Sequence, residues 1–196
     1  MRVVAGRFRG RRLEAPEGRD IRPTSDRVRE AIFDILAHRL FQGRFAGAAA
    51  LDVFAGTGAM GIEALSRGTS RASFLDSDAG AVRLIERNLR HVGALDDALV
   101  LRRDATRPGP APQPHDLVLV DPPYRSGLGP TALTALAQER WLAPGALIVL
   151  ELASGEVSVP PAGFSEVDRR KYGGTTVAFW RWGAAQPASR ISSVSS

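Results

Sequence analysis

At 196 residues, 44% hydrophobic and 24% charged, the chain is long enough for one α/β domain with a sizeable core and too apolar to be disordered. It has no cysteine, which excludes disulfides, thiolate metal sites and any cysteine nucleophile, including one that would attack a pyrimidine ring carbon. The formal net charge of +5 at pH 7 points to a polyanionic partner. The basic residues are 25 arginines and Lys171 alone. A GC-rich coding sequence explains arginine over lysine, but not where the arginines cluster. His38, His91 and His115 make no spacing a metal would use, so no metal is expected. No apolar run approaches the roughly 18 residues of a membrane span. Met1-Arg2-Val3-Val4 leads into arginine-rich sequence and not a secretory leader. A cytoplasmic protein without a membrane partner is expected.

Residues 1–20 read as a basic extension. Arg7, Arg9, Arg11 and Arg12 surround Phe8, and Gly6 and Gly10 punctuate the run, which predicts a short β-hairpin with exposed arginines. Such arginines can neutralise phosphates, and Phe8 could stack on an unpaired base. An edge strand protected by charge is the structural alternative. Pro23 blocks helix before it, and Thr24 or Ser25 can cap a helix after it. Val28, Ile32, Ile35, Leu36 and Leu40 make one apolar face, so that helix is expected to run to about Arg39.

Ala48 to Phe54 reads as a buried strand, followed by Gly56, Gly58 and Gly61 and then by helical spacing to about Arg67. Strand, glycine loop and helix form the setting in which G-x-G-x-x-G carries meaning: glycine lets a ligand approach bare backbone, and the helix start offers free N–H groups. Asp76 ends a second strand, Ala72 to Asp76, 20 positions after Gly56, where an acid meets ribose hydroxyls, so a dinucleotide site stays open. Asp52, inside the first strand, argues otherwise. Its carboxylate would repel a pyrophosphate and would suit a ligand with a cationic amino-acid end, such as S-adenosylmethionine. Val82, Ile85 and Leu89 mark a helix over Ala79 to Val92, and Leu99 to Arg102 a third strand. Asp104 and Ala105 follow it, where a carboxylate could meet an adenine amino group.

Arg107 to Pro114 is a proline-rich loop, and His115 to Val120 a strongly apolar strand. Asp121-Pro122-Pro123-Tyr124 closes that strand, at the carboxyl end where open α/β sheets bind ligands. An exocyclic amino group is a poor nucleophile because its lone pair is delocalised into the ring. Two acceptors on its two N–H groups, the Asp121 carboxylate and the Pro122 carbonyl, would favour a pyramidal nitrogen aimed at a methyl donor. Two prolines stiffen the turn, and the Tyr124 ring can stack on a base that has left its helix. Thr131 to Gln138 is expected to be helical, Ala146 to Leu152 a strand, and Val167 to Trp182 two antiparallel strands around Tyr172-Gly173-Gly174. The polar end, 184–196, is expected to be disordered.

Asp52-x-x-x-Gly56-x-Gly58 together with Asp121-Pro122-Pro123-Tyr124 resembles the amino-directed S-adenosylmethionine-dependent methyltransferases. Arg2 to Leu13 with Arg22-Pro23-Thr24-Ser25-Asp26-Arg27-Val28-Arg29-Glu30 resembles the start of the RsmD family, bacterial 16S ribosomal RNA guanine-N2 methyltransferases, and Lys171-Tyr172-Gly173-Gly174-Thr175 resembles its final hairpin. The resemblance covers about residues 2–182. It implies a Rossmann-like class I fold over 21–183, with a seven-stranded, mostly parallel sheet, one antiparallel strand, helices on both faces and an N-terminal β-hairpin. It implies S-adenosylmethionine held by Thr24, Asp52, Phe54, Gly56, Gly58, Asp76, Ser77, Asp104, Ala105 and Asp121. Catalysis would fall to Asp121, Pro122, Pro123 and Tyr124. RNA contacts would fall to Arg7, Arg9, Arg11, Arg12, Arg22, Lys171 and Tyr172. The implied partner is 16S ribosomal RNA, alone or in a small-subunit particle, bound by a monomer. The same turn would serve an adenine methyltransferase, but 196 residues leave little room for the recognition insert of a DNA enzyme. A nicotinamide oxidoreductase would need a Tyr-x-x-x-Lys or His–acid pair, which is not evident. A non-catalytic RNA-binding module would not need the intact Asp121-to-Tyr124 turn.

Overall fold

The computed structural model describes residues 1–15 and 26–183. Thr24 and Arg22, and the expected disorder of 184–196, lie outside the described residues. Helix α1 (Asp26–Ile35) widens into a π turn over Leu36–Leu40, so the periodic face ends where expected but not as regular α-helix. Then come β1 (Ala49–Val53), α2 (Ala59–Ser66), β2 (Arg71–Asp76), α3 (Ala79–Val92), a 3-10 turn at Leu95–Asp97, and β3 (Ala98–Arg102). The rest is β4 (His115–Val120), α4 (Leu128–Gln138), β5 (Leu142–Ala153), β6 (Phe164–Tyr172) and β7 (Thr175–Trp182).

The seven strands form one sheet in the order β3-β2-β1-β4-β5-β7-β6. β7 pairs antiparallel with both β5 and β6, and every other pairing is parallel. The strands read as continuous apolar runs because both faces are covered. On one face, Ala50, Phe74, Leu119, Val149 and Phe179 pack beneath α1, α2, α3 and the N-terminal segment. On the other, Leu51, Val53, Val118, Val120 and Leu150 pack with Leu133 and Leu136 of α4 and with Trp141. Chain order reverses direction between the neighbours β1 and β4. That is the switch point at which such sheets open a crevice beyond their carboxyl ends.

The N-terminal segment is not the expected hairpin of two strands. Met1 to Leu13 folds back on itself, but Arg2 and Arg12 form only an isolated bridge. The Val3, Gly10 and Leu13 N–H groups donate across the fold-back to the Arg11, Val3 and Met1 carbonyls at 3.0, 2.9 and 3.1 Å, and other backbone groups go to α2. The buried Glu63 carboxylate accepts the N–H groups of Val4 and Ala5 at 2.8 and 3.0 Å, and the Ser66 hydroxyl accepts that of Phe8 at 3.0 Å. A Cβ on Gly6 would stand 1.8 Å from the Ser66 carbonyl oxygen, so the approach requires glycine there. At the amino end of β4 the buried His115 has its Nδ1 3.1 Å from the Trp141 carbonyl and its Nε2 2.9 Å from the Ser73 hydroxyl of β2. A carbonyl can only accept, so the proton sits on Nδ1 and Ser73 donates to Nε2.

Candidate active site

The groups singled out in the sequence converge at the carboxyl ends of β1, β2, β3 and β4. Past β1 the chain turns through left-handed backbone at Phe54 (φ 59°), Gly56 (φ 54°) and Gly58 (φ 75°). Left-handed conformation is unfavourable for a phenylalanine and marks a position held for a purpose. Gly61 starts the packing of α2 on the sheet. A Cβ there would come within 2.4 Å of the Phe74 ring and 3.1 Å of the Asp52 Cβ, so only glycine lets the helix lie so low.

Asp52 faces α2, almost fully buried, and its carboxylate accepts the Gly61 N–H at 2.8 Å. Burial pushes its carboxyl well above the ordinary carboxylate range. The Gly61 bond opposes that, and the charges of Asp121 and Asp76 push it further up. Asp76 is half-buried, and its carboxylate accepts the N–H groups of Gly56 and Asp78, each at 2.9 Å. It therefore fastens the glycine loop and also stands at the crevice. The neighbouring Ser77 is exposed. Asp104, exposed beyond β3, is held below the ordinary carboxylate range, chiefly by the Thr106 N–H and then by its hydroxyl, both 2.8 Å from one oxygen. Ala105 is buried in the α4-side core.

Asp121 donates its backbone N–H to the Val53 carbonyl at 3.3 Å, which sets the start of the Asp-Pro-Pro-Tyr turn against the entrance to the glycine loop. Pro122 is buried and Pro123 exposed. The Pro123 carbonyl accepts from the Ser126 hydroxyl and N–H, whereas no hydrogen bond reaches the Pro122 carbonyl among the described residues. Tyr124 presents its ring with 43% of the residue exposed, and its hydroxyl lies 3.1 Å from that of Thr175 at the start of β7. Arg125 has φ 57°, and its N–H donates to Glu156 at 3.1 Å; the same oxygen accepts the Ala153 N–H at 3.0 Å. A stiff proline pair braced on β5 and β7 holds the turn. Neither Glu156 nor Thr175 carries a sequence signal for this. Asn88 does, because it interrupts the apolar stripe of α3 between Ile85 and Leu89.

The expected RNA contacts divide. The Phe8 ring is buried in the core beneath Arg7 and Arg11, whose guanidinium carbons lie 4.4 and 5.5 Å from its centroid, so it does not offer a face to a base. Arg7 pairs with Asp97 at 2.6 Å, and Arg11 donates to the Val92 carbonyl at 2.6 Å. Both therefore sit at the foot of α3, whose 14 residues span about 21 Å from the crevice end. Arg9 and Arg12 are exposed, as is Lys171; Tyr172 is half-buried and packs against the core on the α1 side.

A family model described as conserved hypothetical protein 95 matches residues 1–181. Ribosomal RNA small subunit methyltransferase D of Escherichia coli is 36% identical over 162 residues, 82% of this chain and 79% of its own. That of Haemophilus influenzae is 32% identical over 177 residues, covering 88% and 89%. Among solved structures, yhhF of Escherichia coli, a proposed methyltransferase, matches with a TM-score of 0.79 at 34% identity, over 94% of this chain and 98% of that one. An RNA methyltransferase from Salinibacter ruber, in complex with S-adenosyl-L-homocysteine, matches with a TM-score of 0.61 over 85% and 97%; at 16% identity the likeness is one of fold.

Proposed function

From the premise that this chain belongs to the RsmD family of ribosomal RNA small-subunit methyltransferases, we propose that it methylates the exocyclic N2 amino group of a guanine in 16S ribosomal RNA, with S-adenosylmethionine as donor. The observation that carries this reading is the Asp121 N–H to Val53 carbonyl bond, which makes the glycine loop and the Asp-Pro-Pro-Tyr turn two walls of one crevice.

The residues fit the donor. The buried Asp52, already burdened by desolvation and by two neighbouring carboxylates, would gain from a cation, which the amino-acid end of the donor carries. Phe54, Gly56 and Gly58 present bare backbone beside it, Asp76 and Ser77 stand where the ribose would lie, and Asp104 and Ala105 where adenine would. The donor supplies an electrophilic methyl with a good leaving group, so the chain needs neither a metal nor a covalent nucleophile. The chain's own task is position. The Asp121 carboxylate and Pro122 carbonyl accept hydrogen bonds from the two amino N–H groups, and Tyr124 stacks on the extruded base. As the nitrogen–carbon bond forms and the carbon–sulfur bond breaks, the nitrogen becomes cationic and one amino proton leaves it toward the Asp121 carboxylate.

The RNA runs outward from the crevice past Lys171, with Arg9 and Arg12 as phosphate contacts farther along the flank. The protein works as a monomer in the cytoplasm, on 16S RNA or on the assembled small-subunit particle. Incubation with labelled donor and either substrate, followed by nucleoside analysis, tests this. Label in N2-methylguanosine is expected; label in a methylated adenosine, or none with either substrate, overturns it.

A further inference from the structure

We propose that Asn88 is a positioning residue that makes the docked N-terminal segment part of the donor site. Asn88 is fully buried on α3, and its side-chain amide is shared between two distant pieces of chain. Its Oδ1 accepts the Glu14 N–H at 2.8 Å, and its Nδ2 donates to the Glu14 carbonyl at 3.2 Å and to the Thr57 carbonyl at 2.9 Å. Thr57 lies between Gly56 and Gly58, in the backbone that the donor would touch. The Thr57 hydroxyl reaches the Met1 sulfur at 3.7 Å. The glycine loop is therefore held on its ligand side by Asp76, through the Gly56 N–H, and from behind by both ends of the N-terminal segment.

A loop with two left-handed glycines has little conformational preference of its own and takes its shape from what fastens it. Losing the Asn88 amide would remove the bond that ties the Thr57 carbonyl to the exposed Glu14 backbone, so the loop and the segment's end would be free to relax apart. Docking of the segment's Glu14 end and ordering of the donor loop are then one equilibrium. Coupling of this kind is reciprocal: whatever orders the loop also holds Glu14 in place.

This inference rests on the donor reading above, and the test separates the two. S-adenosylhomocysteine binding is measured by calorimetry for the full chain and for Asn88→Ala and Ser66→Ala. Ser66 fastens the same segment, but at its middle, to Phe8 and Ala5, away from Glu14 and the loop. Asn88→Ala should weaken binding by about ten-fold while turnover at saturating donor stays within about three-fold, and Ser66→Ala should bind within about two-fold of the parent. Amide exchange gives the reciprocal readout: S-adenosylhomocysteine should slow exchange at Glu14 in the parent and not in Asn88→Ala. Unchanged affinity in Asn88→Ala, or equal losses in both variants, would overturn the coupling and leave Asn88 a packing residue. A parent that binds no S-adenosylhomocysteine would overturn the donor reading itself, and this inference with it.

Discussion

A buried aspartate that prefers its proton is a poor structural residue and a good receptor for a cation. Asp52 is such a group: desolvation, then the charges of Asp121 and Asp76, raise its affinity for a proton against the single Gly61 bond that lowers it. A cationic donor must displace that proton wherever the free protein still holds it. Donor binding should therefore release a proton and tighten as pH rises through the raised pKa of Asp52. Calorimetry in buffers of different ionisation enthalpy should detect the release in the parent and find none in Asp52→Asn; equal release in both would assign the proton elsewhere. Asp76 makes a different prediction, because its two oxygens already accept the N–H groups of Gly56 and Asp78. Asp76→Ala should weaken donor binding ten-fold or more, in line with the roughly 1.5–3 kcal/mol of a charged acceptor, and should also loosen the loop. Both acids were legible from residue type and spacing. The Asp78 N–H two residues on from Asp76 is a local turn bond, but Gly61 on Asp52 and Gly56 on Asp76 follow from how α2 and the glycine loop dock, which no local pattern encodes.

At the scale of elements, strands and helices were largely readable because apolar periodicity on a two-sided parallel sheet is a strong signal. The N-terminal segment was the exception. Glycines and alternating arginines suggest a hairpin with a free aromatic; the segment does fold back through one bridge and a few backbone bonds, but it also docks on the buried Glu63 and Ser66 of α2, and Phe8 gains more from burial than from exposure. The arginines therefore should not act alike. Arg9→Ala with Arg12→Ala should flatten the salt dependence of RNA binding, by about 0.7–0.9 log units per lost contact, with little change in melting temperature. Arg7→Ala with Arg11→Ala should lower the melting temperature by uncovering Phe8. If the second pair alone altered the salt slope, the foot of α3 would be the RNA face. The catalytic turn yields the corresponding chemical prediction. Asp121→Ala should slow single-turnover methyl transfer at saturating donor by about two orders of magnitude or more, the scale of a lost oriented hydrogen-bonding group. Tyr124→Ala should lose the roughly 1–3 kcal/mol of a base–aromatic stack. Tyr124→Phe keeps the ring and gives up the hydroxyl contact to Thr175, so it should stay much closer to the parent. A Phe variant as slow as the Ala variant would mean that the hydroxyl, not the ring, does the work of that residue.

Across the whole molecule, the two ends of the sheet pull stability in opposite directions with pH. At the amino ends of the strands, His115 is buried neutral, and burial lowers its pKa from 6.5 to about 4, with only partial opposition from the Trp141 carbonyl. The unfolded chain binds that proton more readily than the folded one. Its contribution is therefore complete above pH 6.5 and is lost as pH falls toward 4, by about 3 kcal/mol at most on the scale of 1.36 kcal/mol per pKa unit. At the carboxyl ends, Asp52 has its pKa raised above the ordinary 3.8, so the folded chain binds that proton more readily, and falling pH relieves a cost that is present at neutral pH. Where the two titrate together they oppose each other, and the measured slope contains their difference. Asp104 and Glu166, both held below ordinary carboxylate values, weaken the fold only at still lower pH. Denaturant midpoints should show an acid loss in the parent smaller than His115 alone would give. Asp52→Asn removes the compensating group and should steepen that loss. His115→Gln removes the destabilising protonation and should reverse the slope, so that the variant, weaker overall for want of the Trp141 stack, gains stability as pH falls. Parallel pH profiles for the parent and both variants would show that neither buried group governs the acid response, and that some other pairing across the sheet does.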